Sequence, residues 1–218
     1  MDGPSLLSIQ VGRIAPLGSD GIPSAFIKHP VEGPIAVGLL GLAGDEQAEL
    51  SVHGGPEMAI YGYPVAHYAA WIREYPEHRA SFVAGGVGEN FTIAGLSEAD
   101  LCVGDVHRIG SATLQVCQPR QPCFKFALRF GDKRLPKAMA RNGRAGWYYR
   151  VLEPGTVTAG NCVARIDRPH PEMGFERLIE IANFRNASRD ELEAMAAMTG
   201  LASDLRDDAR QALLKGTP

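Results

Sequence analysis

No apolar run in this chain approaches the ~18 residues that a membrane-spanning helix requires, so membrane insertion is not expected. A basic excess is missing too: 22 Lys and Arg stand against 25 Asp and Glu, a net charge of −3. Dedicated binders of nucleic acid or of anionic membrane surfaces normally carry a clear surplus of cations. Neither partner is therefore expected, although a local cationic pocket for a small phosphorylated ligand stays open. Cysteine is scarce, four in 218 residues, with no C-x-x-C pair and no second Cys or His pair at zinc-finger spacing. A structural zinc is disfavoured on that count. Thiols without a pattern suit a reducing compartment, and the cytoplasm is the expected location. The opening Met1-Asp2-Gly3-Pro4-Ser5 lacks a basic segment followed by an apolar run, so a secretory signal is not expected. Internal repeats and low-complexity segments are absent as well.

What is plentiful is glycine and proline, 25 and 15 residues, in a chain that is 45% hydrophobic and 22% charged. That composition describes a globular chain with one good core and a small appendage. Up to residue 167 the sequence reads mainly as short strands, at 6–14, 35–40, 59–63, 90–93, 106–109, 113–117, 147–152 and 161–167. Ile109-Gly110-Ser111-Ala112 reads as a hairpin turn and Pro154-Gly155 as a second turn. Only two helices are expected among these strands, at 65–74 and 135–142, the latter closed by Gly143. Many short strands with frequent turns predict a mainly β fold, a closed or nearly closed β-barrel, over residues 1–167. The character changes at the proline-rich 168–174 linker, and residues 168–218 read as a small three-helix domain. Its first helix covers 175–183. The second is capped by Ser188, which forms a capping box with Glu191, and ends near Gly200. The third starts at Ser203 and places Leu205, Ala209, Ala212 and Leu213 on one face. Three such helices bury little alone, so they are expected to lean on the barrel or on another subunit.

Chemistry points first to Cys123, in Gln118-Pro119-Arg120-Gln121-Pro122-Cys123-Phe124-Lys125. A thiol works as a nucleophile or soft metal ligand only when ionised, and adjacent cations such as Arg120 and Lys125 favour the thiolate. The prolines stiffen the segment into an extended loop rather than a helix interior. Cys102, Cys117 and Cys162 sit in apolar or alternating runs and read as small buried hydrophobes.

A second unusual string is Gly41-Leu42-Ala43-Gly44-Asp45-Glu46-Gln47, followed by His53-Gly54-Gly55-Pro56. Paired glycines let a ligand approach the backbone and turn N–H groups toward an anion; read alone, the same residues are a tight turn beside an exposed His. Gly85-Gly86-Val87-Gly88-Glu89-Asn90 carries the same two readings, and Asp45 and Glu46 read as starting a turn or capping a short helix. Among the scattered cations, Lys28, Arg120, Lys125, Arg129, Arg144 and Arg150 each read singly as surface charges. Lys28 and Arg150 carry more weight, because an unpaired charge in their apolar settings would be costly.

The run 41–64, taken with Gly88-Glu89-Asn90, the 118–125 segment and Gly146-Trp147-Tyr148-Tyr149-Arg150-Val151, resembles the MOSC family, named for the C-terminal domain of molybdenum cofactor sulfurase. Within the family the chain is similar to the YiiM-like branch, which carries a three-helix C-terminal extension. The resemblance runs in order over nearly the whole chain. It implies a β-barrel related to the barrel domain of pyruvate kinase, and binding of the pterin-based molybdenum cofactor (molybdopterin). The family's cysteine falls on Cys123, which would then be both the molybdenum ligand and the catalytic residue. By the same matching Lys28, His53, Gly54, Gly55, Glu89, Asn90, Arg120 and Lys125 become cofactor-binding candidates. Cys117 is a departure from the pattern and leaves an oxidative link to Cys123 open.

The activity implied is reduction of N-hydroxylated small molecules, hydroxylaminopurine-type base analogues among them, as detoxification. Neither a Cys-rich iron–sulfur module nor a flavin motif is present, so a separate flavoprotein is expected as electron donor. A different reading makes the chain a sulfur carrier, with Cys123 taking persulfide sulfur from a pyridoxal-phosphate-dependent desulfurase for metal–sulfur centre assembly. A third makes it a non-catalytic module that docks through its helical tail. Whether that tail forms a homodimer is left open by the sequence.

Overall fold

Short β-branched and aromatic runs, each stopped by glycine or proline within a few residues, are too brief for helices and pair instead as strands. The structure, a computed structural model, describes residues 3–49 and 54–216. Its strands are β1 (Ser5–Val11), β2 (Ala15–Leu17), β3 (Ile22–Ser24), β4 (His29–Val31), β5 (Ile35–Gly38), β6 (Gly41–Leu42) and β7 (Ile60–Pro64). They continue with β8 (Phe91–Ala94), β9 (Val106–Ile109), β10 (Ala112–Pro119), β11 (Trp147–Glu153), β12 (Gly155–Val157) and β13 (Val163–Asp167). Eight of them form one sheet in the order β13-β9-β10-β11-β7-β8-β1-β4; β12-β5-β6 and β2-β3 form two small sheets. The large sheet is mixed, since β7 and β8 run parallel while its other pairs are antiparallel.

The expected barrel is found only as this eight-stranded mixed sheet, and among the described residues no ladder closes it. The reason lies on the side of β1 away from β8. There its later half, Ile9 to Val11, is taken by β4. Its first residue meets the end of the chain's β region at a single bridge, Ser5 with Cys162. Hydrogen bonds from Leu6 N to Asn161 O (2.9 Å), from Gly160 N to Leu6 O (2.7 Å) and from Val163 N to Pro4 O (2.8 Å) surround that bridge, so the contact stays local.

Six α-helices accompany the strands among the described residues: α1 (Ala66–Glu74), α2 (Phe124–Phe130), α3 (Arg134–Asn142), α4 (Phe175–Phe184), α5 (Arg189–Ala197) and α6 (Ser203–Lys215). The two helices expected before residue 167 are α1 and α3, but α2 makes a third. Cys123 is still extended (φ −124°, ψ 165°), as the prolines require, and the helix begins at the next residue. Its seven residues end at Gly131, whose left-handed backbone (φ 67°) closes the last turn. Two apolar clusters organise the interior. One joins sheet residues such as Leu6, Phe91 and Trp147 to Phe175, Leu178, Leu192 and Leu205 of the tail, so α4–α6 do lean on the sheet. The other joins Tyr63, Trp71, Phe82, Phe126 and Leu135 and fastens α1–α3 beside the sheet.

Candidate functional site

The start of α2 and the 45–49 segment line a cavity of about 110 Å³, with Tyr61 of β7 and Tyr148 of β11 also in its wall. Lys28, Gly54, Asn90, Arg120, Cys123 and Lys125, scattered over almost a hundred positions of sequence, all line it. His53 lies outside the described residues.

Lys28 Nζ is 2.5 Å from Asp45 Oδ1, and each side chain is only 7% exposed. The same carboxylate accepts Gly12 N–H (2.7 Å) and Asn90 Nδ2–H (2.8 Å). Asn90 is pinned in turn by Tyr61 N–H, which donates to its Oδ1 at 3.0 Å. Burial pulls the Lys28 pKa below that of an ordinary lysine, with the Asp45 charge acting against it. Asp45, which sequence reasoning treated as a turn former, is therefore the counter-ion that holds one wall together. Its only signal was its place beside the paired glycines, and spacing says nothing of a partner 17 residues upstream.

Arg120 is buried at the end of β10 and stacks on Phe26 and Tyr61, each 4.9 Å from ring centroid to guanidinium carbon. It also donates to Val87 O. Burial works against its charge, yet Tyr61, Tyr148 and the Cys123 sulfur hold its pKa above the usual value. Lys125 is 7% exposed and, among the described residues, no hydrogen bond or ion pair engages its ammonium. Tyr61 and Tyr148 also line the cavity, and burial raises both phenols, so they stay protonated at neutral pH.

Four expectations are revised by this geometry. Gly54 and Gly55 have positive φ, 147° and 82°, as a glycine turn requires, but the Gly55 N–H is already spent on Gln47 Oε1 at 2.9 Å. Glu89 lies behind the cavity and is not part of its wall: it is fully buried and accepts hydrogen bonds from Tyr68 Oη, Gly85 N and Thr92 Oγ1. Burial raises its pKa, and its Oε2 has no partner. Arg150 sits elsewhere, donating to Glu57 Oε1 (2.6 Å) and Leu201 O (3.2 Å). Cys117 is sealed in the core, donates to Glu57 O at 3.0 Å, and has its thiol pKa pushed up to about 12 by burial. It is in no disulfide, and an inert buried thiol offers no ready oxidative link to Cys123.

A separate cluster, Glu77, His78 and Asp132, has metal-like side chains. Arg134 already occupies it, at 2.5 Å from Glu77 and 2.6 Å from Asp132, so it is an ion-pair network.

Comparison with known proteins adds three findings. The sequence profile of the MOSC domain matches residues 49–164. The chain is 46% identical over 140 residues to Protein YiiM of Escherichia coli strain K12, a match covering 64% of this chain and 62% of that protein. It is 36% identical over 217 residues to a protein named Reductase from Gibberella moniliformis, covering 98% of this chain and 38% of the longer relative. The chain thus spans less than two thirds of either relative's length. The crystal structure of YiiM from Geobacillus stearothermophilus superposes with a TM-score of 0.81 at 30% identity, covering 96% of this chain and 99% of that one.

Proposed function

This chain belongs to the MOSC domain family, and from that premise we propose that it is a molybdenum-cofactor-dependent reductase of N-hydroxylated compounds, hydroxylaminopurine-type bases among them. One observation carries the reading: the Cys123 thiol shares a cavity with Lys28, Arg120 and Lys125. The donor set fits the group. A thiolate is a soft ligand suited to molybdenum, and cations beside it suit a phosphate. Lys28 is matched by Asp45, which leaves Arg120 and Lys125 without a described carboxylate at hydrogen-bond distance to meet an anion. Among the described residues, a Cβ placed on Gly55 would touch nothing within 4 Å. At about 110 Å³ the cavity is below the usual ~300–1,000 Å³ of small-molecule sites, and would enclose only the anionic, sulfur-bearing end of such a cofactor.

Cys123 Sγ would hold the metal, with Arg120 and Lys125 neutralising the phosphate. When bound, the cofactor supplies two-electron redox chemistry. The balance is R–NHOH + 2 e⁻ + 2 H⁺ → R–NH₂ + H₂O, with the N–O bond broken. Tyr148 Oη, kept protonated by burial, is a hydrogen-bond donor at the cavity wall. Electrons come from a separate flavoprotein, and the setting is the cytoplasm. Among the described residues, no helix is long and apolar enough to cross a membrane.

Elemental analysis tests the reading, using protein from cells that make the cofactor. Molybdenum is expected in the wild type and lost in Cys123→Ser. Metal retained in both refutes thiolate ligation. Metal in neither, with a persulfide trapped on Cys123, makes the chain a sulfur carrier instead.

A further inference from the structure

Cys123 lines a second cavity as well, a cleft of about 610 Å³ between the Gly18–Ser19 turn and the outer face of α2. We propose that this cleft is the substrate subsite, taking the flat, uncharged heteroaromatic ring of an N-hydroxylated base against Phe124 and Leu128. The inference rests on the reductase reading and extends it from the cofactor to the substrate.

Helix α2 supplies the first argument. Phe126 and Phe130, one turn apart, point into the core with 0% and 9% exposure. Phe124 and Leu128 have the same i, i+4 spacing on the other side of the helix, and both line the cleft. Phe124 is 56% exposed although it follows the thiol directly. Leu128 is half-buried and packs against the core cluster, so Phe124 is the exposed member of the pair and the apolar surface left for a ligand.

Charge supplies the second argument. Among the described residues the cleft wall contains no carboxylate and a single cation, Lys133, with Ser19 as its one hydroxyl. The cofactor cavity on the other side of Cys123 is lined by Lys28, Arg120 and Lys125 together with Asp45, Glu46 and Glu49. Cys123 therefore stands between a charged chamber and a mainly apolar one of ordinary small-molecule size. A substrate ring lying in the apolar chamber would bring its N–O group to the Cys123 side, where the two chambers meet. An aromatic platform favours a planar base over an aliphatic hydroxylamine, because every base has a π-face to stack.

The test uses the full chain, read by binding and by turnover. Adenine, the unreactive product analogue of a hydroxylaminopurine, is titrated into methyl-labelled protein. Shifts are expected at the Ala127 and Leu128 methyls, with affinity weakened about tenfold or more by Phe124→Ala and restored by Phe124→Tyr, as loss of one stacked base contact predicts. In molybdenum-loaded protein, Phe124→Ala should raise KM for hydroxylaminopurine by a similar factor. It should leave metal content and KM for N-methylhydroxylamine unchanged. The subsite is overturned if adenine shifts neither methyl, if Phe124→Ala binds adenine as the wild type does, or if Phe124→Ala instead abolishes a concentration-dependent dimer. Adenine bound at Leu128 in protein that never takes up molybdenum would sink the reductase reading and spare the cleft.

Discussion

At the scale of single residues, the site depends on charges that burial makes expensive. Lys28 and Asp45 are both removed from water, so each is tolerable only because of the other. Asp45→Asn is expected to cost about 3 kcal/mol in urea denaturation, since it strands the ammonium and leaves a single acceptor oxygen where Asn90 Nδ2–H and Gly12 N–H had one each. Adding Lys28→Met to that variant should recover a good part of the loss; no recovery would mean that the hydrogen bonds, not the charge pair, set the cost. Cys123, Lys28, Arg120 and Lys125 were legible as candidates because a thiol or a cation in an apolar or proline-rich setting is unusual by itself. Asp45, Tyr61 and Tyr148 were not singled out, because an acidic turn residue and strand tyrosines look ordinary until a fold sets them around a cavity. Glu89 is the reverse case: the motif nominated it, and packing set it outside the cavity wall.

Among the elements, the segment after the paired glycines is fastened from an unexpected direction. Glu57 Oε2 accepts hydrogen bonds from Ser203 N (2.8 Å) and Ser203 Oγ (2.6 Å) at the start of α6, while its Oε1 takes Arg150 at 2.6 Å. Its backbone carbonyl receives Gln118 Nε2 at 3.0 Å, which ties the same residue to β10. One side chain thus serves as a remote cap for α6 and as a brace for the Gly54 side of the cavity. Glu57→Ala should cost about 1–2 kcal/mol, the range for losing a helix cap. It should also speed amide exchange both at residues 54–58 and in the first turn of α6. Faster exchange in α6 alone would show that the brace does not reach the cavity. Helix α2 was missed at this scale because prolines at 119 and 122 end the pattern that a reader follows, and seven residues give too few turns for periodicity to emerge. α1, α3 and the capped start of α5 were readable because their stop and start signals are local in sequence.

For the molecule as a whole, the tail is part of the core and also rests on its own polar lattice. Glu191 completes the Ser188 capping box and receives Arg177 Nε at 2.7 Å. The Arg177 hydrogen bonds, then the Ser188 N–H, bring its pKa down from 4.5 to about 2. Because the folded value lies below the unfolded one, this stabilisation is complete above about pH 4.5 and fades as pH falls toward 2. Glu191→Gln should therefore be about 1 kcal/mol less stable at pH 7, and the gap to the wild type should close by pH 2 in denaturation followed by far-UV circular dichroism. A gap independent of pH would assign the loss to packing.

What the sequence determined by itself were the features written over a few neighbouring residues: strand and helix runs, the caps at Ser188 and Gly143, the stiff approach to Cys123, and the ordered motifs of the MOSC family. Tertiary structure alone decided which distant groups meet. It closed Lys28 onto Asp45, put Glu89 outside the cavity wall, anchored Glu57 to α6, joined β1 to the 160–163 segment by one bridge and no ladder, and set Cys123 beside two cavities. Local propensity acts through adjacent backbone and side chains, whereas a cavity is made by segments whose contacts are set only when the whole core packs.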